Sequence, residues 1–234
     1  EQPPEEPTPV GAFRFNTDNL KLEYYDGNQW VIVTTSSPQQ NTGATRAVMA
    51  ISYFAPSYRS DISFFNIDTT GNASDFGDFT EVKGNGISSA ASRTRGIAAG
   101  GGTPSRVDTI DFFNMAARFS GISASDFGNL TQSRSIDGGG LSSETRAVFA
   151  GGTTPSNVNT IDYITISQTG DAVDFGDLQA ATSQSAGLSS PTRGIITAFN
   201  NNRIDFITIA STGDAQDFGD LVISTFACGN GYGN

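Results

Sequence analysis

The chain has 234 residues, 36% of them apolar, which is enough to bury one domain with a small addition. A formal net charge of −11, with lysine only at Lys21 and Lys83, argues against phosphate binding and therefore against a nucleic-acid partner. Histidine is absent and Cys228 is the sole cysteine, so we expect no metal site, no cofactor and no Cys-His catalysis. No apolar run approaches the ~20 residues that span a bilayer, so membrane insertion is not expected.

Residues 1–10, EQPPEEPTPV, are acidic and rich in proline. This composition predicts an extended tether without packed structure of its own. The sequence begins with Glu1 and not with Met, which leaves open whether a further segment precedes it.

Residues 11–34 contain FRFNTDNLKLEYYDGNQWVIV, in which apolar and polar residues alternate around two turn signals. Asp26-Gly27 is a strong hairpin signal, and the pattern predicts a three-stranded antiparallel meander. So short a sheet cannot fold alone. We therefore expect an aromatic face, with Trp30 and either Tyr24 or Tyr25, to dock on the main domain, a sister subunit or a larger assembly. The alternative is a simple N-terminal extension of the repeats.

A polar linker is predicted at residues 35–44, and residues 45–234 contain four copies of one unit that recur every 43 to 51 residues. A period of this length is typical of β-propeller blades. Each copy contains a Thr-Arg step, an Ile-x-aromatic step and an Asp-Phe-Gly step. The recurring charged residues are Arg46, Arg95, Arg146 and Arg193, and Asp75, Asp126, Asp174 and Asp217.

Each copy reads as four short strands separated by Gly and Asn turns, and no window predicts a helix. The strand with Ile161 and Tyr163 is apolar on both faces, with only Asp162 polar, as expected for a blade pressed between two others. We predict an all-β, four-bladed propeller after the small meander. The alternative is five blades, with the meander as a degenerate one.

The first copy lacks the strand that precedes Thr-Arg in the other copies. Residues 222–234, VISTFACGNGYGN, are predicted to supply it and so to close the ring, which would remove two sheet edges. On this reading Cys228 is a small buried side chain, and the alternative is a reactive thiol.

The Asp-Phe-Gly step predicts a turn in which Asp caps backbone N–H groups, Phe fills the space between blades and Gly adopts a positive φ. The alternative is a Ca²⁺ site at the Asp-rich turns. The four arginines are predicted to join adjacent blades by pairing with an acid, such as the Asp-Phe-Gly aspartate. The alternative is a clamp for the carboxylates of an acidic glycan.

No catalytic residue is predicted. The acids recur in every copy, whereas a catalytic pair normally breaks the symmetry of a repeat, so a glycosidase is the weaker hypothesis. The runs Gly100-Gly101-Gly102 and Gly138-Gly139-Gly140 are not phosphate loops, because no Lys-Ser/Thr follows them.

A Gly-Gly pair after a strand, followed by Ile-Asp-Tyr/Phe, a turn and a further strand, resembles a divergent kelch-like blade. The sequence TRAVFAGG…NTIDYITISQTGDAVDFGDL resembles repeats in virion structural proteins of marine and cyanobacterial tailed phages. FRFNTDNLKLEYYDGNQWVIV is similar to a short module of phage tail-fibre and head-decoration proteins.

This resemblance, which covers the chain from Gly11 onward, implies a non-enzymatic protein located in the virion, on the tail fibre or the capsid exterior. We expect it to be oligomeric in the particle, to contact other virion proteins through the meander and to reach host-surface glycans through its loops. The alternative function is that of a soluble carbohydrate-binding lectin, with loops such as Tyr53–Arg59, Thr103–Arg106 and Thr153–Asn157 as its sites.

Overall fold

A computed structural model describes residues 8–17, 21–33, 46–50, 53–54, 57–102, 105–116, 123–198 and 202–223. The chain divides into two compact units, Glu1–Gln40 and Asn41–Asn234, and the division falls within the predicted linker. In the described part of the chain, no helix has the length and apolar character that a membrane crossing requires.

The first unit contains a three-stranded antiparallel sheet in the order β1-β2-β3. The turn between its second and third strands is closed by Asp26, whose Oδ1 accepts the N–H groups of Asn28 and Gln29 at 2.8 Å each. Gly27 adopts a φ of 101°, which a side chain would disfavour. The strands are β1 (Phe13–Asn16), β2 (Lys21–Tyr25) and β3 (Trp30–Ile32).

The second unit begins with a three-stranded antiparallel sheet in the order β4-β7-β8, which we call the first repeat. A two-stranded hairpin, β5-β6, lies in the connection between its first two strands. The strands are β4 (Arg46–Ala50), β5 (Tyr53–Phe54), β6 (Ser57–Tyr58), β7 (Asp61–Asn66) and β8 (Ser74–Asp78).

Three four-stranded antiparallel meanders follow, and in each of them the first strand precedes the Thr-Arg step. The second repeat contains β9 (Ser88–Ala91), β10 (Arg95–Ala99), β11 (Thr109–Asn114) and β12 (Ser125–Asn129). The third, after the short β13 (Asp137–Gly138), contains β14 (Gly140–Ser142), β15 (Arg146–Ala150), β16 (Val158–Thr165) and β17 (Val173–Thr182). The fourth contains β18 (Gln184–Ser189), β19 (Arg193–Ala198), β20 (Arg203–Thr208) and β21 (Gln216–Asp220), with β13 parallel to β18.

A β-bulge recurs at the Asp-Phe-Gly step of every repeat. In the first repeat Ile62 pairs with Gly77 and Ser63 pairs with Asp75, so Phe76 has no partner across the strands. The other repeats show the same register shift. The glycines after the bulged phenylalanine have φ between 139° and 146°, a region that favours Gly.

The apolar core lies between successive repeats and not within any single sheet. One buried cluster joins the first and second repeats, the next joins the second and third, and another joins the third and fourth. This is why strands such as β16 are apolar on both faces. Representative members are Phe76 with Ala98, Ile110 with Phe149, and Phe175 with Ile196.

The prediction of an all-β chain is confirmed for the described residues, which form several antiparallel sheets. Most of the predicted closing strand, residues 222–234, lies outside the described residues, and so does Cys228. The closed propeller and both readings of Cys228 therefore stay predictions.

Candidate functional site

The four recurring arginines are the first residues of β4, β10, β15 and β19, which are equivalent strands of the four repeats. Each guanidinium lies over an aromatic ring of its own repeat, in the geometry of a cation–π contact. The distances from the guanidinium carbon to the ring centroid are 4.6 Å for Arg46 on Phe64, 4.7 Å for Arg95 on Phe112, 4.5 Å for Arg146 on Tyr163 and 4.9 Å for Arg193 on Phe206.

Three of these arginines also reach the next repeat. Nη1 of Arg46 donates to the carbonyl of Met115 at 3.2 Å, Arg95 to that of Ile166 at 2.7 Å, and Arg146 to that of Ile209 at 2.9 Å. The interaction between repeats is thus made with a main-chain oxygen. For Arg95 and Arg146 this differs from the predicted pairing with an Asp-Phe-Gly carboxylate.

Two of the Asp-Phe-Gly aspartates, Asp126 and Asp217, accept hydrogen bonds within their own turns. Oδ1 of Asp126 accepts the N–H of Gly128, and Oδ1 of Asp217 accepts that of Gly219, both at 3.1 Å. These contacts match the predicted cap. Asp75 and Asp174 occupy the same strand position and are exposed.

The phenylalanine of the same step packs against the following repeat in three cases out of four. Phe76, Phe127 and Phe175 are buried, the last two at 3% exposure, whereas Phe218 is 52% exposed. Each ring also meets an aromatic ring of its own repeat edge to face, as Phe127 meets Phe112 at 5.8 Å. Phe218 therefore has its partner within the fourth repeat but nothing comparable beyond it among the described residues.

A different acid bridges the repeats at the turn before the Asp-Phe-Gly step. Oδ1 of Asp171 accepts the N–H of Asn129 at 2.9 Å, and Oδ1 of Asp214 accepts that of Asp177 at 3.0 Å. Main-chain bonds accompany them, such as Gly170 N–H to the Phe127 carbonyl at 2.7 Å. The predicted bridging function thus belongs to neighbouring acids.

A further set of bridging acids was not predicted: the buried aspartates of the Ile-Asp-aromatic step. Asp162 is fully buried and accepts bonds from Thr131 N (3.1 Å), Thr131 Oγ1 (2.7 Å) and Arg134 Nη1 (2.9 Å), all of the preceding segment. Asp111 is bound in the same way by Thr80 and lies 3.6 Å from Nζ of Lys83. Asp205 accepts from the backbone of Gln179 at 3.4 Å.

Lys83 and Arg134, the cations beside Asp111 and Asp162, are themselves fully buried. Burial lowers the pKa of Lys83 and of Arg134, and the neighbouring carboxylates of Asp111 and Asp162 act in the opposite direction. Arg134 also donates to the carbonyl of Phe149 at 3.2 Å, and Lys83 to that of Thr109 at 2.8 Å. The charges are therefore used to satisfy one another and the main chain.

The three buried aspartates accept hydrogen bonds from the preceding segment, and each lies beside a cation: Lys83 for Asp111, Arg134 for Asp162 and, on the same strand, Arg203 for Asp205. Among the described residues, no three His, Cys, Asp or Glu side chains are grouped so as to hold a metal ion, which bears on the Ca²⁺ alternative. The recurring arginines Arg46, Arg95 and Arg146 and the buried aspartates join one repeat to the next, whereas Asp126 and Asp217 cap their own turns.

The predicted docking residues of the first unit lie on two different faces of its sheet. Tyr24 pairs with Phe13 across the strands, next to the Phe15–Leu22 pair, and these four side chains form an exposed apolar face. Tyr25 and Trp30 lie on the opposite face, with ring centroids 5.5 Å apart.

On that opposite face, the polar and aromatic side chains contact one another, although Ile32 is 44% exposed. The Arg14 guanidinium lies 4.2 Å from the centroid of Trp30 and forms an ion pair of 2.8 Å with the buried Glu23. Asn16 also donates to Glu23 at 3.0 Å. The exposed apolar face with Tyr24 is thus the better candidate for docking, and Phe13 and Phe15 are residues that sequence reasoning missed.

Comparison with known proteins found neither a family model nor a curated protein that matches this chain. Its function is therefore inferred from the contacts described above.

Proposed function

We propose that this chain is a non-enzymatic structural protein on the exterior of a tailed-phage particle, on the tail fibre or the capsid. Its four repeats would be the blades of a kelch-like β-propeller closed by residues 222–234. The observation that carries the proposal is the use of the recurring charged residues. At every described junction, Arg and Asp side chains bind the adjacent repeat and not an open cleft.

A rigid scaffold is what such junctions produce. Each repeat contacts the next through a buried apolar cluster, a guanidinium bound to a carbonyl and a buried aspartate. Repeats joined in this way hold their loops in fixed positions, which suits a protein that displays surfaces on a particle.

The first unit supplies the surface that would attach the chain to other virion proteins. Phe13, Phe15, Leu22 and Tyr24 are all exposed on one face of a sheet that is too small to be stable without a partner. An apolar face of this kind is typical of an interaction site. Attachment through it leaves the repeats available for contacts outside the particle.

Host glycans are the second candidate, favoured by the connections that follow the strand with the recurring arginine. These connections differ between repeats: a hairpin, β5-β6, occupies that of the first repeat, and a turn with Thr154-Pro155 occupies that of the third. Variable loops on a constant scaffold are typical of binding surfaces. A glycan array probed with the purified chain tests this candidate separately.

Mass spectrometry of gradient-purified phage particles that encode the chain tests the main proposal. We expect its peptides in a constant ratio to the major structural proteins across the particle peak. A Phe13→Ser/Phe15→Ser variant supplied in trans should be lost from the peak, whereas an Arg59→Ser variant should remain. Absence of the unaltered chain from the particles would overturn the proposal.

A further inference from the structure

Each repeat meets its neighbours with two different faces. The outgoing face carries the recurring arginine, the ring beneath it and the Asp-Phe-Gly phenylalanine, and it contacts the following repeat. The incoming face carries the carbonyl that the arginine binds and the turn before the Asp-Phe-Gly step, and it contacts the preceding repeat. Three outgoing faces and three incoming faces are covered within the described structure.

The outgoing face of the fourth repeat is open. Besides the half-exposed Phe218, a groove of about 350 Å³ lies beside Phe206, the ring under Arg193. A Cβ on Gly176 would lie 2.5 Å from the carbonyl carbon of Gly213. The same Cβ on Gly219 would meet no described atom within 4 Å, although the φ values of the two glycines, 141° and 139°, are alike.

The incoming face of the first repeat is open as well. Ile67 is 68% exposed, whereas Ile166 and Ile209, which occupy the same position in the third and fourth repeats, are exposed at 2% and 1%. Met49 is 58% exposed, and its counterpart Phe149 is fully buried.

We propose that these two open faces of the same chain bind one another as a fourth junction. Nη1 of Arg193 then donates to the carbonyl of Ile67, and Ile67 enters the groove beside Phe206. This inference rests on the proposed propeller and adds to it a specific pair of surfaces. The exposed first and last repeats carry the arginine, the ring beneath it, the Asp-Phe-Gly phenylalanine and the acceptor carbonyl of the internal junctions.

The sequence of the first repeat retains the incoming turn. Thr70-Gly71-Asn72-Ala73 corresponds to Thr212-Gly213-Asp214-Ala215 of the fourth repeat. In the third junction Gly213 faces Gly176 and Asp214 accepts the N–H of Asp177. At the fourth junction Gly71 faces Gly219 in the same way, and the Asn72 amide oxygen accepts the N–H of Asp220.

The two faces of this junction also lack the side chains that form the buried aspartate contacts of the internal junctions. Ser63 stands where the other repeats have Asp111, Asp162 and Asp205, and Val222 stands where the preceding segments have Thr80 and Thr131. A carboxylate at position 63 would find the backbone N–H of Val222 but no hydroxyl like that of Thr80 or Thr131. Ser63 and Val222 are therefore compatible with one another across a single junction.

The same chain is the better partner than a second copy. Two faces on one chain meet at a high effective concentration, whereas separate chains with a net charge of −11 each repel one another. Contacts between copies would also be of the head-to-tail type, which leads to larger rings or open filaments.

The test uses alanine at three glycines with positive φ in the otherwise unaltered chain: Gly176→Ala, Gly219→Ala and Gly170→Ala. Gly170, with a φ of 153°, has no described atom within 4 Å of a built Cβ and reports backbone strain alone. We expect Gly219→Ala to lower the Tm as much as Gly176→Ala and more than Gly170→Ala, in a protein that stays monomeric by light scattering. A Gly219→Ala effect equal to that of Gly170→Ala, or a mass that grows with concentration, would overturn the proposal.

A second pair of variants serves if the alanine variants fail to fold. Asn72→Cys/Asp220→Cys is compared, in a Cys228→Ser background, with Asn129→Cys/Asp171→Cys at an internal junction. Both pairs should form a disulfide within one chain under mild oxidation. Cross-linking of the internal pair alone would rule out the fourth junction. Neither experiment depends on the location of the protein in a virion.

Discussion

The sheet of the first unit and the sheets of the repeats are both small and antiparallel, but they bury their apolar side chains differently. In the third repeat, both faces are covered by neighbours, so that Phe149 and Ile161 have no exposed surface. In the first unit, one face carries the Arg14–Glu23 ion pair and Trp30, and the other leaves four apolar side chains exposed. Because the repeat recurs, its internal copies show what each of its faces binds. The first unit occurs once, so only the exposure of its apolar face points to a binding partner.

The largest expected effect is the loss of a buried charge pair in a junction. Replacing Arg134 with Met leaves the buried Asp162 carboxylate without its cation, so we expect a loss of about 3–5 kcal/mol in the free energy of unfolding. Urea unfolding followed by circular dichroism measures it.

The control is the double variant Arg134→Met/Asp162→Leu, which removes both charges. It should recover most of the lost stability, because the cost arises from one unpaired charge and not from the missing pair. If Arg134→Met changed the free energy of unfolding by less than about 0.5 kcal/mol, the size of an ordinary surface effect, the assignment of Asp162 as a junction residue would be wrong.

A smaller loss is expected from the recurring arginines. Arg95→Met removes a cation–π contact with Phe112 and a hydrogen bond to the Ile166 carbonyl, together worth about 1–2 kcal/mol. Arg93→Met is the matched control, because the Arg93–Glu144 pair is exposed and should contribute under about 0.5 kcal/mol. Equal effects in thermal unfolding would contradict a special role for Arg95.

The first unit should respond differently on its two faces. Trp30→Ala removes the ring between Arg14 and Tyr25 and should destabilise this sheet by about 1 kcal/mol, which hydrogen exchange of β1 to β3 measures. Phe15→Ala changes an exposed side chain and should shift exchange by less than about 0.5 kcal/mol. Loss of exchange protection with Phe15→Ala would show that the exposed face already stabilises the sheet.

The smallest effect concerns pH. Burial raises the pKa of Asp137 above its usual 3.8, and a hydrogen bond with Gln184 opposes the shift. Because the folded state binds the proton more tightly, this residue lowers stability as pH rises from about 3.8 through the raised pKa. Asp137→Asn should flatten this part of the Tm–pH profile, and an unchanged slope would contradict the assignment.

Much of the fold can be predicted from the sequence because its signals recur. The Thr-Arg, Ile-x-aromatic and Asp-Phe-Gly steps mark the same three strands in every repeat. Strands such as β16 carry apolar residues on both faces, which indicates that both faces are buried. Adjacent strand residues face opposite sides, so alternation alone separates Tyr24 from Tyr25.

The partners of the charged residues could not be predicted in the same way. Arg95 binds a carbonyl, and a main-chain oxygen has no sequence signature. Asp162 was visible as the single polar residue of an apolar strand, but its donors lie about 30 positions earlier at Thr131 and Arg134. Such a pairing depends on how two sheets stack, which local patterns do not encode.

Disulfide formation in solution tests most directly the central claim that the first and fourth repeats join through the same contacts as the internal repeats. We predict that Asn72→Cys/Asp220→Cys, in the Cys228→Ser background, oxidises within the monomer as completely as the internal pair Asn129→Cys/Asp171→Cys. A monomer in which only the internal pair forms a disulfide would contradict the claim.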